Sequence, residues 1–316
     1  MTAAEPPPAD RSRAPAAWRQ TLLPFGLLLV LGNLWGFAFS LAKTAATAGV
    51  PPLAYAFWQS LGGGLVVLAV CLWRRQPPRM VPRYLRYYAV NGLCGIVLPN
   101  VNMLMALAHT PAGVMSIVVT VVPLLTYAYA LPFGLERFDA ARAAGILLGF
   151  AGAMVLVLPR GSLPSPEMTG WVLVSFLTPV SYAIANVYSA AARPPGSASM
   201  PLACGMLLAA AAAIAPVMWA TGSFHPLWPP SGPGEWAVLG QICVTSVAFI
   251  LFFEIQRLSD PVYLSQVAYV VCLAGVFWGF IFFAEVHSLW VWGAGGLILA
   301  GLALLNLRRR PDRSGG

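Results

Sequence analysis

Apolar runs of about twenty residues recur along the chain, each closed by a short cluster of Pro, Gly, Arg or Asp. A helix of ~20 residues crosses a hydrocarbon core ~30 Å thick. The pattern therefore predicts membrane spans near residues 21–43, 53–73, 87–108, 112–133, 140–158, 169–190, 201–220, 236–256, 262–284 and 288–307. Pro51 and Pro52, the stretch from Arg74 to Arg79, and the stretch from Ser231 to Gly234 fall between spans, where helix-breaking residues build turns. The expected fold class is an all-α integral membrane protein of ten transmembrane helices.

Composition closes off the alternatives. The 316 residues are 59% apolar and 9% charged, with mean hydropathy +0.76, which leaves too little polar surface to cover a soluble globule. The apolar run after Arg19 exceeds a signal-peptide core and lacks a small-residue cleavage site, so it is expected to stay as the first span. A net charge of +8 raises nucleic acid as a partner, but the basic residues flank apolar runs and form no aromatic-interleaved basic face; no nucleic-acid partner is expected. Their placement instead gives the orientation. With the N-terminus in the cytoplasm, sixteen of the 18 Lys and Arg residues fall on that side, leaving Lys43 and Arg160 outside. One missed helix would invert every later loop, so the reading is ten spans with both termini cytoplasmic, in a bacterial-type inner membrane. Residues 1–20 and 308–316 read as disordered cytoplasmic tails, the second held at anionic headgroups by Arg308, Arg309 and Arg310. Cys71, Cys94, Cys204, Cys243 and Cys272 all fall inside apolar runs and read as fillers.

The two halves repeat weakly. Pro111 opens the fourth span, Glu136 closes it and Gly152 lies in the fifth; Pro261, Glu285 and Gly301 stand in the same order 149 or 150 residues later. An odd number of helices per unit forces the second copy to enter from the opposite side. Residues 21–158 and 169–307 are thus expected to form two inverted five-helix repeats, an arrangement that opens a midplane site alternately to each side.

Trp35-Gly36-Phe37 in the first span, Pro111, Ala112 and Pro123 around the fourth, and Glu136 ahead of Gly145 and Gly152 resemble the first EamA repeat of the drug/metabolite transporter superfamily. Pro261, Ser265-Gln266, and Glu285 ahead of Gly301 resemble the second. The size and aromatic richness are most similar to the YddG-like amino-acid exporters. The resemblance implies a central cavity between the repeats. Two departures qualify it: Trp58-Gln59 stands where the family often carries an Arg, and the ninth span has Cys272-Leu273 where the fourth has Pro123, so a symmetric pair of proline-kinked helices is not expected.

Polar side chains in a membrane span turn towards a cavity or a neighbouring helix. Asn33, Phe37, Ser40 and Thr44 recur at helical spacing in the first span, beside Trp35 and Phe39; Asn91, Asn102 and His109 share a stripe in the third, with Asn100 pointing away. The sixth span presents Ser175, Thr178, Tyr182 and Asn186 or Ser189, the eighth Gln241 and Thr245 with Phe249, Phe252 and Gln256, and the ninth Ser265, Gln266 and Tyr269. The candidate substrate-binding set is Asn33, Trp35, Phe37, Ser40, Asn102, Thr178, Tyr182, Asn186, Gln241, Thr245, Gln266 and Tyr269. Spans 1, 3, 4, 6, 8 and 9 are expected around the cavity and the others outside, with Gln59 the main polar exception. The competing reading is hydrogen bonding from helix to helix. Pro123 is expected to kink the fourth span and free a carbonyl.

Glu136 and Glu285 close spans and read as capping or pairing groups; Glu254 with Arg257 three residues on reads as a structural or gating ion pair. No charged residue is expected at the midplane, which argues against a central-carboxylate multidrug antiporter. His109, His225 and His287 map to the outer side, so no proton-coupling residue stands out. Amides, hydroxyls and aromatic rings suit a net-neutral solute with an apolar part. The expected activity is export or facilitated passage of amino acids or similar small polar metabolites by alternating access, without cofactor or metal. Its partners would be the substrate and membrane lipid, and the protein is expected to be a monomer. The alternatives are another cargo, such as a drug or sugar derivative, or a non-transporting scaffold. An intramembrane enzyme lacks support, since neither H-E-x-x-H nor G-x-S-x-G occurs.

Overall fold

The computed structural model describes residues 17–107, 118–157 and 166–283, together with Gly293, Gly296, Leu297, Ala300, Gly301 and Leu304. Every element described is helical. α1 (Ala17–Thr47), α2 (Pro52–Trp73) and α3 (Pro82–Gly92) are followed by a π-helical turn (Leu93–Val97) that continues into α4 (Leu98–Leu107). Then come α5 (Val122–Ala130), α6 (Ala140–Val157), α7 (Pro166–Ser175) and α8 (Leu177–Ala191). α9 (Ser199–Ala220), α10 (Pro233–Leu258), α11 (Pro261–Ser265) and α12 (Val267–Phe283) complete the order. Pro52, Pro82, Pro233 and Pro261 each occupy the first helical position, where the missing N–H costs nothing and the fixed φ favours entry.

Among the described residues, seven helical runs are long and apolar enough to cross a membrane, and Val118–Ala130 and Ala140–Ala151 are shorter apolar helices. The tenth expected span, 288–307, lies outside the described residues apart from the six isolated positions, as do Glu285, His109, His287 and the tail 308–316. α1 starts at Ala17, so residues 17–20, read from sequence as disordered tail, belong to a helix.

Two long spans are broken without a proline inside the break. In the third span, the π turn inserts one extra residue into the helix, which rotates everything after Val97 by about 100° relative to an unbroken helix. In the ninth, a turn at Gln266 separates α11 from α12. In the sixth, the chain breaks at Phe176, three residues ahead of Pro179, and in the fourth the apolar helix Val118–Ala130 is interrupted at Val121, two residues ahead of Pro123.

Helix packing couples the halves. α2 packs most extensively on α9, α1 on α12 and α10, α5 on α8 and α11, and α8 also on α4 and the π turn; α2 touches α10, and α3 touches α9. Numbered by span, 1 meets 9 as 6 meets 4, 1 meets 8 as 6 meets 3, and 2 meets 8 as 7 meets 3. The largest core joins α1, α2, α3, α9, α10, α11 and α12 around Tyr87, Tyr88, Phe253, Tyr263 and Tyr269. Large apolar side chains on the outside, such as Leu65, Leu72, Val217 and Val247, are exposed, as helices solvated by lipid require.

Candidate functional site

A cavity of about 140 Å³ lies within the bundle, lined by α1, α2, α3, the π turn, α4, α5, α8, α9, α10, α11 and α12. That is on the order of ten times the smallest space that holds one water, enough for a small metabolite. Among the described residues, no Asp, Glu, Lys, Arg or His lines it.

The polar part is concentrated where α2 faces α10, two to three turns in from their N-termini. Gln241 donates through Nε2 to Gln59 Oε1 at 3.2 Å and to Thr245 Oγ1 at 3.0 Å, and Thr245 Oγ1 donates to Gln59 Oε1 at 3.5 Å. These bonds leave Gln59 Nε2, Gln241 Oε1, Ser60 Oγ and Tyr55 Oη buried and without a protein partner, and all four residues line the cavity. A buried polar atom left unpaired costs ~1–3 kcal/mol, so four around one space form a surface ready to accept and donate hydrogen bonds. Trp35, set edge-on to Phe249 with ring centroids 5.9 Å apart and tilted against Phe252 at 6.0 Å, forms an aromatic wall that Phe39 and Tyr182 extend.

Towards the opposite end, where α3 and α11 begin, many polar groups pair within the protein, while Gln256 Oε1 and Gln266 Oε1 stay buried without a partner. Asn91 donates to the Tyr87 carbonyl at 2.9 Å, Asn186 to Thr126 Oγ1 at 3.3 Å, and Ser265 to the Val262 carbonyl at 2.7 Å; further along the third span, in α4, Asn100 donates to the Ile96 carbonyl at 2.8 Å. Gln256 Nε2 donates to Ser189 Oγ, and Tyr87 Oη donates to the Ser189 carbonyl at 2.9 Å. These bonds tie α3, α5, α8 and α10 together at this end.

Of the residues singled out from sequence, Trp35, Tyr182, Asn186, Gln241 and Thr245 line the cavity. Asn33, Phe37, Ser40, Asn102, Thr178, Gln266 and Tyr269 do not. Asn33 and Phe37 face α12, because α1 is wedged between α12 and α10: Trp278 Nε1 donates to Asn33 Oδ1 at 3.2 Å, and Phe37 packs on Trp278 with ring centroids 5.0 Å apart. The cavity face of α1 is the apolar one, with Trp35, Ala38, Phe39 and Ala42, while Ser40 is buried away from it and its carbonyl accepts from Thr44 Oγ1 at 2.9 Å. Asn102 is turned out of the cavity by the π turn, and Met103 and Leu104 take the place that an unbroken helix would give it. It donates instead to Val174 O at 3.1 Å, to Ser175 O at 3.4 Å and to Thr178 Oγ1 at 2.8 Å. Pro179 has no N–H for the Ser175 carbonyl, so Asn102 supplies one. Gln266 is buried at the break between α11 and α12, and Tyr269 Oη donates to the Ile146 carbonyl at 2.9 Å with its ring against Gly149.

Sequence reasoning placed the second span outside the cavity, and the structure corrects this: Tyr55, Gln59 and Ser60 supply three of the four unpaired atoms. The available signal was a lone amide in an otherwise apolar span, which has no helix-packing purpose unless something polar faces it.

Glu254 and Arg257 form the ion pair their spacing allows, with Arg257 Nε donating to Glu254 Oε2 at 3.1 Å; Ser199 Oγ donates to the same oxygen at 3.0 Å and ties the pair to α9. Glu136 pairs with Arg142. At the α2/α10 end, His225 meets Glu235 at 2.9 Å and Trp58 Nε1 donates to the His225 carbonyl at 2.8 Å, fastening the 221–232 connection beside the cavity.

Comparison with known proteins agrees with this architecture. A crystal structure of another protein superposes with TM-score 0.73 at 24% identity, covering 91% of this chain and 96% of that one, and shows the same fold. The uncharacterized transporter YvbV of Bacillus subtilis (strain 168) is 24% identical over 290 residues, 91% of this chain and 93% of its own length. A WAT1-related protein of Arabidopsis thaliana, At1g68170, is 27% identical over 127 residues, 38% of this chain and 36% of its own. Over residues 23–158 this multi-pass membrane protein is similar to the EamA-like transporter family.

Proposed function

We propose that the protein is a ten-helix transporter built as two inverted repeats, which moves amino acids or similar small polar metabolites across a bacterial inner membrane by alternating access. The observation that carries the reading is the uncharged, aromatic-walled cavity with unpaired atoms on Tyr55, Gln59, Ser60 and Gln241. The recurrence of the same span-to-span packing when the halves are exchanged supports the inverted repeat, and the similarity to the uncharacterized transporter YvbV supports the activity. The sixteen-to-two split of basic residues supports cytoplasmic termini. The protein works as a monomer with lipid around it. Twelve side chains were assigned to substrate from sequence. Five of them, Trp35, Tyr182, Asn186, Gln241 and Thr245, remain in the proposed site, joined by Tyr55, Gln59 and Ser60.

Purified protein in proteoliposomes, loaded with a panel of radiolabelled amino acids, is expected to release at least one of them saturably. Gln59→Leu and Gln241→Leu each remove a polar partner while keeping side-chain bulk, and are expected to slow that release about tenfold, since leaving a buried polar partner unsatisfied costs ~1–3 kcal/mol. Unchanged release in both variants, with normal insertion, overturns the site. The lack of any charged side chain among the described lining residues favours a second reading, a fully neutral cargo such as a sugar derivative, because a zwitterion brings two charges that need partners. Release of neutral derivatives with no amino acid released selects it.

A further inference from the structure

Where α3 and α11 begin, three charged side chains join the two halves of the chain. Arg142, in the first turn of α6, donates through Nη2 to Asp260 Oδ2 at 2.7 Å and pairs through Nη1 with Glu136 Oε2. Glu136 belongs to the connection before α6, and Asp260 is the N-cap of α11, where its Oδ1 accepts from the Tyr263 N–H at 2.6 Å. The Glu136 side chain is only 6% exposed, against 23% for Arg142 and 28% for Asp260. Its second oxygen, Oε1, is buried with no hydrogen-bond partner.

Two carboxylates share one guanidinium, so the cluster carries one uncompensated negative charge, and the oxygen that lacks a donor belongs to its most buried member. Among the described residues, Arg142 is the cation paired with these carboxylates. From α5, Tyr127 Oη accepts from the Asp139 N–H at 2.9 Å; Asp139 Oδ1 accepts from the Arg142 N–H at 2.8 Å; Arg137 is exposed. A carboxyl that is buried beside a like charge favours its neutral form. Burial first, and then the adjacent Asp260 carboxylate, raise Glu136 well above its ordinary 4.5 despite Arg142.

We propose that Glu136, Arg142 and Asp260 form a proton-binding latch between the two halves. One proton from the adjoining aqueous phase adds to the Glu136 carboxylate, giving the neutral acid. Arg142 and Asp260 are left as a balanced ion pair that fastens α11 to α6. Loss of that proton to the same phase restores the repulsion between the carboxylates and loosens the contact. Ser265 on α11 and Val267, Ala268 and Val271 on α12 line the cavity, so the latch acts on its wall. This consequence for transport rests on the reading of the protein as a transporter; the proton site itself does not.

The test needs no substrate. Infrared difference spectra of the full chain in lipid nanodiscs, recorded across pH, report protonated carboxyl groups by their C=O stretch. The native protein is expected to show a band that titrates above the ordinary carboxylate range and is missing in Glu136→Gln. Asp260→Asn removes the like charge and is expected to bring the midpoint of that band down by at least one pH unit. It also decides the matter if Glu136→Gln does not insert. Identical titration in the native protein and Glu136→Gln, or an unmoved midpoint in Asp260→Asn, overturns the latch. If the band behaves as expected while no solute moves in proteoliposomes, the transporter reading fails and the proton site stands.

The sign of the effect on stability follows. A carboxyl whose folded-state pKa is raised contributes stability that is fully present below the unfolded pKa and is lost as pH rises through the folded one. Thermal stability of the native protein is expected to fall as pH rises above the ordinary carboxylate range, and the fall is expected to flatten in Glu136→Gln.

Discussion

Gly36→Val is expected to lower the melting temperature of the detergent-solubilised protein by roughly 5–10 °C, the equivalent of about 2–3 kcal/mol of overpacking. A Cβ on Gly36 would sit 2.4 Å from Ala274 Cβ, 2.8 Å from the Gly275 nitrogen and 2.9 Å from the Ala274 carbonyl carbon. Two of those three atoms are backbone, which no rotamer change can move, so α1 and α12 must separate. One turn earlier, a Cβ on Gly32 would meet Val270 at 2.5 Å, so the close approach runs along the seam. Lipid gives little hydrophobic drive for one helix to leave it for another, and close van der Waals packing between small residues supplies much of the association. Gly26→Val, on the same helix with nothing within 4 Å of the added carbon, is the matched control and is expected to leave the melting temperature unchanged. Equal melting of Gly36→Val and the native protein would mean that α1 and α12 do not meet at this distance.

The same seam shows what the sequence made legible. The small residues at Gly32 and Gly36 mark close helix contact by spacing alone, and the structure puts Val270 and Ala274 against them. Span positions were readable because length and apolarity are set by the bilayer: the expected 53–73 is α2, Pro52–Trp73, and 201–220 is α9, Ser199–Ala220. Rotational position was not. The stripe through Asn91 and Asn102 assumed an unbroken helix, and the π turn at Leu93–Val97, just ahead of Pro99, moved Asn102 off the cavity face. On α1 the polar stripe was taken for the cavity side, yet it faces α12, because an amide is as useful between helices as towards a solute. Gln59 carried the opposite lesson, being isolated in a span that otherwise reads as packing. Its partners, Gln241 and Thr245, lie 182 and 186 residues away and had already been singled out on their own helix. Local charge pairing was legible at Glu254 and Arg257, three residues apart, whereas nothing in the spacing joins Arg142 to Asp260 across 118 residues.

That long-range pair carries the second large effect. Arg142→Gln leaves Glu136 and Asp260 facing each other without the guanidinium. Removing one partner of a buried ion pair costs ~3–5 kcal/mol. Asp260 is 28% exposed and Arg142 23%, so solvent recovers part of that, and a loss of about 2–3 kcal/mol is expected. The loss should depend on pH, because a proton on either carboxyl removes the repulsion that the substitution exposes. The variant is thus expected to come closest to native stability in mild acid and to fall furthest below it in mild alkali. Glu136→Gln in the Arg142→Gln background removes the excess negative charge and is expected to return more than half of the lost stability. The two changes are then strongly non-additive, as groups in direct contact should be. Thermal melts of the native protein, the two single variants and the double variant at three pH values complete the cycle. Additive losses independent of pH would mean that Glu136 and Arg142 act separately, and would remove the electrostatic link between the two halves.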